Sequence, residues 1–234
     1  MKLALLLCAV SVGVPVCSAN LITNGDFETN AVADFARLDT NDITSLPGWK
    51  VIGSACTATS GKCTLVLNTI YTEPNAIGTI FFQSQSGNQS IDITGGGNTT
   101  DGGVEQTLAT NIGTAYALTF YLGNMDNNAS LYGAASSVRV KVTGQADQFF
   151  SNNVSDANHL NWALQTYTFT ATSALTTIDF INNTSATDNE AGIDNVQLNV
   201  ASNTPEPSTW GLMVLGGLAL TVRRAKGRSQ PHRP

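Results

Sequence analysis

The strongest constraint on the fold of this chain is a two-residue alternation of apolar and polar side chains. In residues 114–122 every second side chain is large and apolar, and residues 137–143 place valines opposite basic side chains. Residues 166–170 and 176–181 repeat this period. Such runs, separated by Gly, Asn and Asp clusters, predict strands and turns. Because each strand has one apolar face to bury, the pattern predicts an all-β sandwich of two packed sheets.

The alternation also predicts which side chains fill the space between the sheets. No stretch of residues 20–200 has the period of an amphipathic helix, so strands supply the whole core. The predicted core residues are Leu21, Phe27, Trp49, Val66, Ile91, Val104, Leu118, Phe120, Val140, Phe169, Ile178, Phe180, Ile193 and Val196.

The N-terminus has the pattern of a secretory signal. Lys2 precedes an apolar run at residues 3–16, and small residues at 17–19 allow cleavage before Asn20. A buried N-terminal strand or helix is the alternative, but no polar residue alternates within the run to face water. We therefore expect residues 1–19 to be a signal peptide that is read by the Sec translocon.

Export changes the cysteine count. Cleavage removes two of the four cysteines and leaves Cys56 and Cys63. An even pair in an oxidising compartment favours a disulfide. The same spacing occurs in metal sites, but no histidine or second cysteine pair stands nearby.

Charge is distributed unevenly between the middle of the chain and its end. The last twelve residues hold five of the eleven basic residues, whereas residues 20–204 hold sixteen acids and five bases, a net charge of −11. An acidic surface of this kind repels phosphate backbones, which disfavours nucleic-acid binding.

The order of polar, apolar and basic residues at the C-terminus predicts a sorting segment. A polar linker at 201–209 contains Pro205, Glu206 and Pro207, an apolar segment follows at 210–222, and a basic tail at 223–234 ends the chain. Thirteen helical residues span only about 20 Å, less than the ~30 Å hydrocarbon core. Trp210 at one interface and arginines at the other still allow a short transmembrane helix with a cytoplasmic tail.

This order of motif, helix and arginines resembles the PEP-CTERM sorting signal of Gram-negative bacteria. The resemblance implies cleavage near residues 205–207 by an exosortase. The domain is then expected to be anchored briefly in the inner membrane before reaching the cell surface or extracellular matrix. The residues after Arg224 run longer than is usual for this signal.

The middle of the chain carries a second resemblance. It opens with NLITNGDFE at 20–28, contains PGW at 47–49 and closes with GIDNVQL at 192–198. This set resembles the galactose-binding-like jelly rolls, which include many carbohydrate-binding modules, and is most similar to domain-of-unknown-function family 642. The resemblance implies a jelly-roll β-sandwich over residues 20–200.

The same resemblance implies a structural Ca²⁺ between the two ends of the domain. Glu28 and Asp194 would supply carboxylates, and backbone carbonyls would complete a shell of six to eight oxygens. Asp26 is expected on the opposite side of a strand from Glu28. The alternative is that Glu28 and Asp194 only accept backbone hydrogen bonds.

Glycan binding requires aromatic faces near hydrogen-bonding groups. Tyr71 and Tyr132 lie in polar loop sequence, as do residues 124–128, and are expected to be exposed. Trp162 precedes an alternating strand, so both a core position and a ligand-binding role stay open for it. Trp49 is assigned to the core.

Catalysis is not expected. His159 is the only histidine of residues 20–204 and stands in polar sequence, where an exposed position without a role is expected. No zinc triad of imidazoles and no G-x-S-x-G elbow is present. The leading hypothesis is an exported surface or matrix protein that binds polysaccharide, with a structural or adhesive coat protein and a glycan-active enzyme as alternatives.

Overall fold

The alternating segments form β-strands in the computed structural model, which describes residues 19–54, 64–75, 78–95, 101–125, 132–154, 158–184 and 190–201. The strands of these ranges are β1 Phe35–Arg37, β2 Lys50–Ile52, β3 Leu65–Asn68, β4 Thr72–Asn75, β5 Gly78–Phe81, β6 Gln89–Asp92, β7 Gly103–Ala109, β8 Ala115–Asn124, β9 Ser136–Val142, β10 Gln148–Asn152, β11 Asn161–Thr170, β12 Leu175–Asn182 and β13 Ala191–Val200.

Several predictions fall outside these ranges. They are the signal peptide up to residue 18, the disulfide between Cys56 and Cys63, the sorting motif at 205–207, the short helix at 210–222 and the tail at 223–234. In the ranges that are described, no helix has the length and apolar character needed to span a membrane.

The strands build two sheets and a separate hairpin. One sheet has six strands in the order β1-β3-β6-β13-β8-β11, and the other has five in the order β10-β9-β12-β7-β2. Strands β4 and β5 pair with each other in a two-stranded sheet, and Phe81 at the end of β5 forms an isolated parallel bridge with His159. The predicted all-β jelly-roll sandwich is confirmed.

The predicted core is confirmed as well. Every member of the predicted set is buried except Leu21, which is partly buried against the same cluster. Trp49 is central to it, with its ring centroid 5.5 Å from that of Phe27 and 6.0 Å from that of Phe180. In β9, the valines at 138, 140 and 142 face inward, so the two basic residues between them face solvent.

The segments that carry the family resemblance hold the ends of the domain together. The Val196 amide donates to the Gly25 carbonyl at 2.8 Å, and the indole of Trp49 donates to the Asn24 carbonyl at 2.9 Å. A Cβ at position 25 would lie 2.0 Å from the Val196 oxygen, so the close approach requires glycine.

The opening segment is a turn and not a strand. Asn24 and Phe27 have φ angles of 52° and 56°, and Asp26 is exposed. The expectation that Asp26 lies opposite Glu28 on a strand is therefore wrong. These positive φ angles break the extended conformation, and residues two apart on a strand would in any case share a face.

Candidate functional site

Part of the outer face of the six-stranded sheet is covered by the β4–β5 hairpin. Beneath the hairpin lies a second apolar cluster, separate from the main core. Its buried members are Leu67, Ile80, Phe82, Met125, Tyr132 and Leu160, and Phe35, Leu65, Tyr71 and Trp162 pack against them. The three residues predicted as ligand contacts, Tyr71, Tyr132 and Trp162, are thus brought together, but in a packed cluster.

The two tyrosines share one carboxylate. Tyr132 donates its hydroxyl to Glu73 Oε2 at 2.7 Å, and Tyr71 donates to Glu73 Oε1. Tyr132 is only 9% exposed, so its expected exposure is wrong, and Tyr71 is half-buried with its ring centroid 5.2 Å from that of Phe82. Burial raises the pKa of both phenols. The Tyr132 bond therefore links the hairpin to the segment that precedes β9.

Trp162 lies over a strip without side chains. Cβ atoms placed at Gly123 and Gly192 would come within 3.1 Å and 2.8 Å of its ring. Its indole donates to the Gln83 carbonyl at 2.9 Å. Trp162 is half-buried and packs against the second cluster. It is therefore neither a fully buried core residue nor a freely exposed aromatic face.

Beside these aromatic residues lies a pair of buried carboxyl groups that the sequence did not single out. Glu190 and Asp92 are 4% and 2% exposed, and their carboxyl groups lie close enough for each to influence the other. Glu190 Oε1 has no hydrogen-bond partner in the structure. Burial raises the pKa of Asp92 to about 6 and that of Glu190 well above its usual value, the latter further raised by the Asp92 and Glu73 charges. The pair is suited to hold a proton between its carboxyl groups.

Glu28 and Asp194 do come close to one loop, but as hydrogen-bond acceptors. Asp194 Oδ2 accepts the amides of Gln85 and Ser86 at 2.9 Å each, and Glu28 Oε1 accepts those of residues 88 and 89 at 2.6 and 2.8 Å. Burial raises the pKa of Asp194 to about 7. Oxygens already facing N–H groups suit the bracing of a loop better than the ligation of a cation. Calcium here stays a prediction.

The other described residues offer no alternative metal site. Among the described residues, no three or more His, Cys, Asp or Glu side chains are arranged to hold a metal ion.

The outer face of the five-stranded sheet is open and charged. Strand register places Lys50, Glu105, Asp179 and Lys141 in one row across β2, β7, β12 and β9. With strands about 4.8 Å apart, this row is roughly 14 Å long. Lys50 Nζ is 2.8 Å from Glu105 Oε1. We call this surface the open face.

A groove of about 340 Å³ lies along this row. Its lining is polar except for Val142: Glu105, Lys141, Val142, Thr143, Gly144, Gln145, Asp147, Thr177 and Asp179. Burial, followed by the Glu105 charge, raises the pKa of Asp179. Next to the row, Phe149 is 60% exposed and lies opposite Arg139 in the ladder. Here carboxylates, amines, hydroxyls and an aromatic ring share an accessible surface.

Two minor expectations are wrong. His159 is half-buried, and its ring stacks on that of Phe81 at 5.3 Å. Asn124 is fully buried, with its side-chain amide donating to the Val154 carbonyl at 3.0 Å. A polar sequence context alone therefore does not reveal that a residue such as Asn124 is buried and hydrogen-bonded to another segment. Residues 126–128 lie outside the described ranges.

Solved structures with similar architecture include carbohydrate-binding modules. A family 4 carbohydrate-binding module is 14% identical, with a TM-score of 0.40, over 77% of this chain and 99% of that one. A family 61 module in complex with beta-1,4-galactotriose is 12% identical, with a TM-score of 0.39, over 79% and 100%. The CBM22-1–GH10 modules of a Clostridium thermocellum xylanase in complex with xylohexaose are 10% identical, with a TM-score of 0.40, over 75% and 30%. The fold assignment rests on the strand order above.

Two family models match the sequence, whereas no curated protein does. The PEP-CTERM protein-sorting motif matches residues 203–225. This motif implies exosortase processing and an exported, sorted protein of the cell envelope. The other model covers residues 20–199, most of the chain. The chain therefore belongs to the family described as protein of unknown function DUF642 and carries a PEP-CTERM sorting motif.

Proposed function

We propose that this protein is a non-catalytic, exosortase-sorted surface or matrix protein whose sandwich domain binds polysaccharide through the open face. The observation that carries the proposal is the groove of about 340 Å³ with charged and hydroxyl side chains beside exposed Phe149. Sugars present hydroxyls and apolar C–H faces, so they suit a surface that offers polar groups beside an aromatic ring.

The assignment of binding to this face follows from accessibility. On the six-stranded sheet, the aromatic residues predicted to bind ligand are packed in the second cluster. The hydroxyls of the two tyrosines already donate hydrogen bonds to Glu73. On the open face, Phe149 and Lys141 are exposed. A ligand can reach Phe149 and Lys141 without local unfolding.

The test compares two exposed apolar residues on opposite sheets. Phe149→Ala removes the aromatic ring from the open face, and Leu164→Ala is its matched control, since Leu164 is 57% exposed on β11 of the other sheet. Binding of purified full-length protein to a polysaccharide array is measured for the wild type and both variants. Saturable binding that Phe149→Ala weakens and Leu164→Ala leaves unchanged is expected.

Two results would contradict the proposal. Absence of binding to every polysaccharide, including the producing cell's own, would favour a coat protein without a specific glycan. Turnover of a polysaccharide that a single carboxylate substitution abolishes would favour a glycan-active enzyme.

A further inference from the structure

The few basic side chains of this acidic domain gather on one face. In the described residues they are Arg37, Lys50, Arg139 and Lys141. All but Arg37 point outward from the five-stranded sheet, whereas Arg37 lies on β1 of the other sheet with its guanidinium 4.9 Å from the Phe35 ring centroid. A domain with a net charge of −11 thus presents most of these cations on the open face.

The three basic side chains of the open face differ in how close they lie to a carboxylate. Lys50 is held by Glu105 at 2.8 Å, but Arg139 is 3.8 Å from its closest carboxylate oxygen, on Asp147. Within the described residues, Lys141 forms no ion pair within 4.0 Å, although Asp179 lies opposite it in the ladder. Arg139 and Lys141 are therefore the two cations able to engage a ligand.

These two side chains and Phe149 form one compact patch. Arg139 and Lys141 are two residues apart on the same side of β9, about 7 Å along the strand. Phe149 lies directly opposite Arg139 on β10. A sugar ring stacked on Phe149 would place a carboxylate substituent beside the Arg139 guanidinium, whose planar fork matches a carboxylate.

The inference rests on the proposed function and names its substrate class. We propose that the open face selects polysaccharides built from carboxylate-bearing sugars, with Arg139 and Lys141 binding the carboxylates and Phe149 stacking on the ring. Asp179 lies opposite Lys141 and lines the groove, where it can accept hydrogen bonds from sugar hydroxyls. The three cations of the open face balance the carboxylates of Glu105, Asp147 and Asp179, so this face repels an anionic polymer less than the net charge of −11 would suggest.

The test varies the charge of the ligand and keeps its backbone. Binding of purified full-length protein is measured for alginate and hyaluronate, each before and after chemical reduction of the carboxyl groups. We expect at least one of the two acidic polymers to bind and its reduced form to bind about tenfold more weakly, the size expected for losing a charged hydrogen bond.

Variants locate the effect on the protein. Arg139→Ala and Lys141→Ala should each weaken binding of the acidic polymer about fivefold to tenfold, and Arg139→Lys should fall between Arg139→Ala and the wild type. Arg37→Ala, on the other sheet, should leave binding unchanged. Asp147→Asn should strengthen binding, because it removes the carboxylate that competes for Arg139. A merely destabilising change would not give this gain.

Failure of the inference and failure of the proposed function give different results. Equal binding of acidic and reduced polymers, or binding only of neutral glycans, would overturn the selection for carboxylates and leave polysaccharide binding intact. Loss of binding with Arg37→Ala equal to that with Arg139→Ala would overturn the assignment to this patch. Absence of binding to any polysaccharide would overturn both.

Discussion

The two outer faces of the sandwich differ in whether a second layer of the chain covers the sheet. The face of the six-stranded sheet has apolar residues and carboxyl groups that are hidden under the β4–β5 hairpin. The open face of the five-stranded sheet keeps its charged row in water, with the Lys50–Glu105 pair 42% and 27% exposed. An aromatic residue in such a domain is therefore not a binding residue by its type alone. What distinguishes the two cases is whether a second layer covers the sheet.

The largest expected effect comes from truncating one aromatic ring on each face. Phe82→Ala removes a ring that is 2% exposed beneath the hairpin and should lower the free energy of unfolding by about 3–5 kcal/mol. Phe149→Ala, at 60% exposure, should change it by no more than about 0.5 kcal/mol. Urea unfolding of both variants measures the difference. Similar losses in the two variants would show that the faces do not differ in cover.

The buried carboxyl pair sharpens the comparison through pH. Because the pKa values of Asp92 and Glu190 are raised, the folded state binds protons more tightly than the unfolded state. Stability should then be greatest at acidic pH and fall as pH rises from about 4 through about 6, the pKa of Asp92, and beyond. Asp194, with a raised pKa of about 7, acts in the same direction.

Glu190→Gln should flatten this decline, since glutamine keeps a donor for Asp92 and has no proton to lose. The free energy of unfolding at several pH values measures the slope, which is about 1.4 kcal/mol per pH unit for each proton released. Glu105→Gln on the open face is the control. It acts only by removing a charge that raises the pKa of Asp179, so it should change the slope much less than Glu190→Gln does. An unaltered slope in Glu190→Gln would mean that the pair holds no extra proton.

The smallest effect is expected from the surface ion pair. Lys50→Ala breaks the 2.8 Å contact with Glu105, but both side chains are partly solvated. The loss of stability should stay below about 1 kcal/mol and shrink further in high salt. Thermal melting at low and high salt measures it. A loss of several kcal/mol would place this row among the structural features of the domain.

The alternation of side chains was enough to predict the sandwich and its core. Strand period decides which face is buried, so residues such as Phe120 and Val140 could be assigned without knowing the topology. The resemblance also identified residues that matter for the fold, since Gly25 and Asn24 hold the two ends of the domain together through backbone contacts.

The candidate site was harder to predict, because it depends on how distant strands align. The row on the open face exists only when β2, β7, β12 and β9 are in register, and local sequence does not specify that. The cover over Tyr132 comes from a hairpin far away in the chain. Asp92 was missed since acids are expected at the surface, whereas this one ends a strand with four buried residues.

The place where the domain joins the sorting segment has a mechanical consequence. Its last strand, β13, ends at Val200, and the sorting motif begins a few residues later. β13 lies between β6 and β8, bonded to both in antiparallel ladders. Those bonds run perpendicular to the strand, so tension along β13 strains many of them at once. A domain tethered through this end would resist being pulled apart by flow or by a moving polymer.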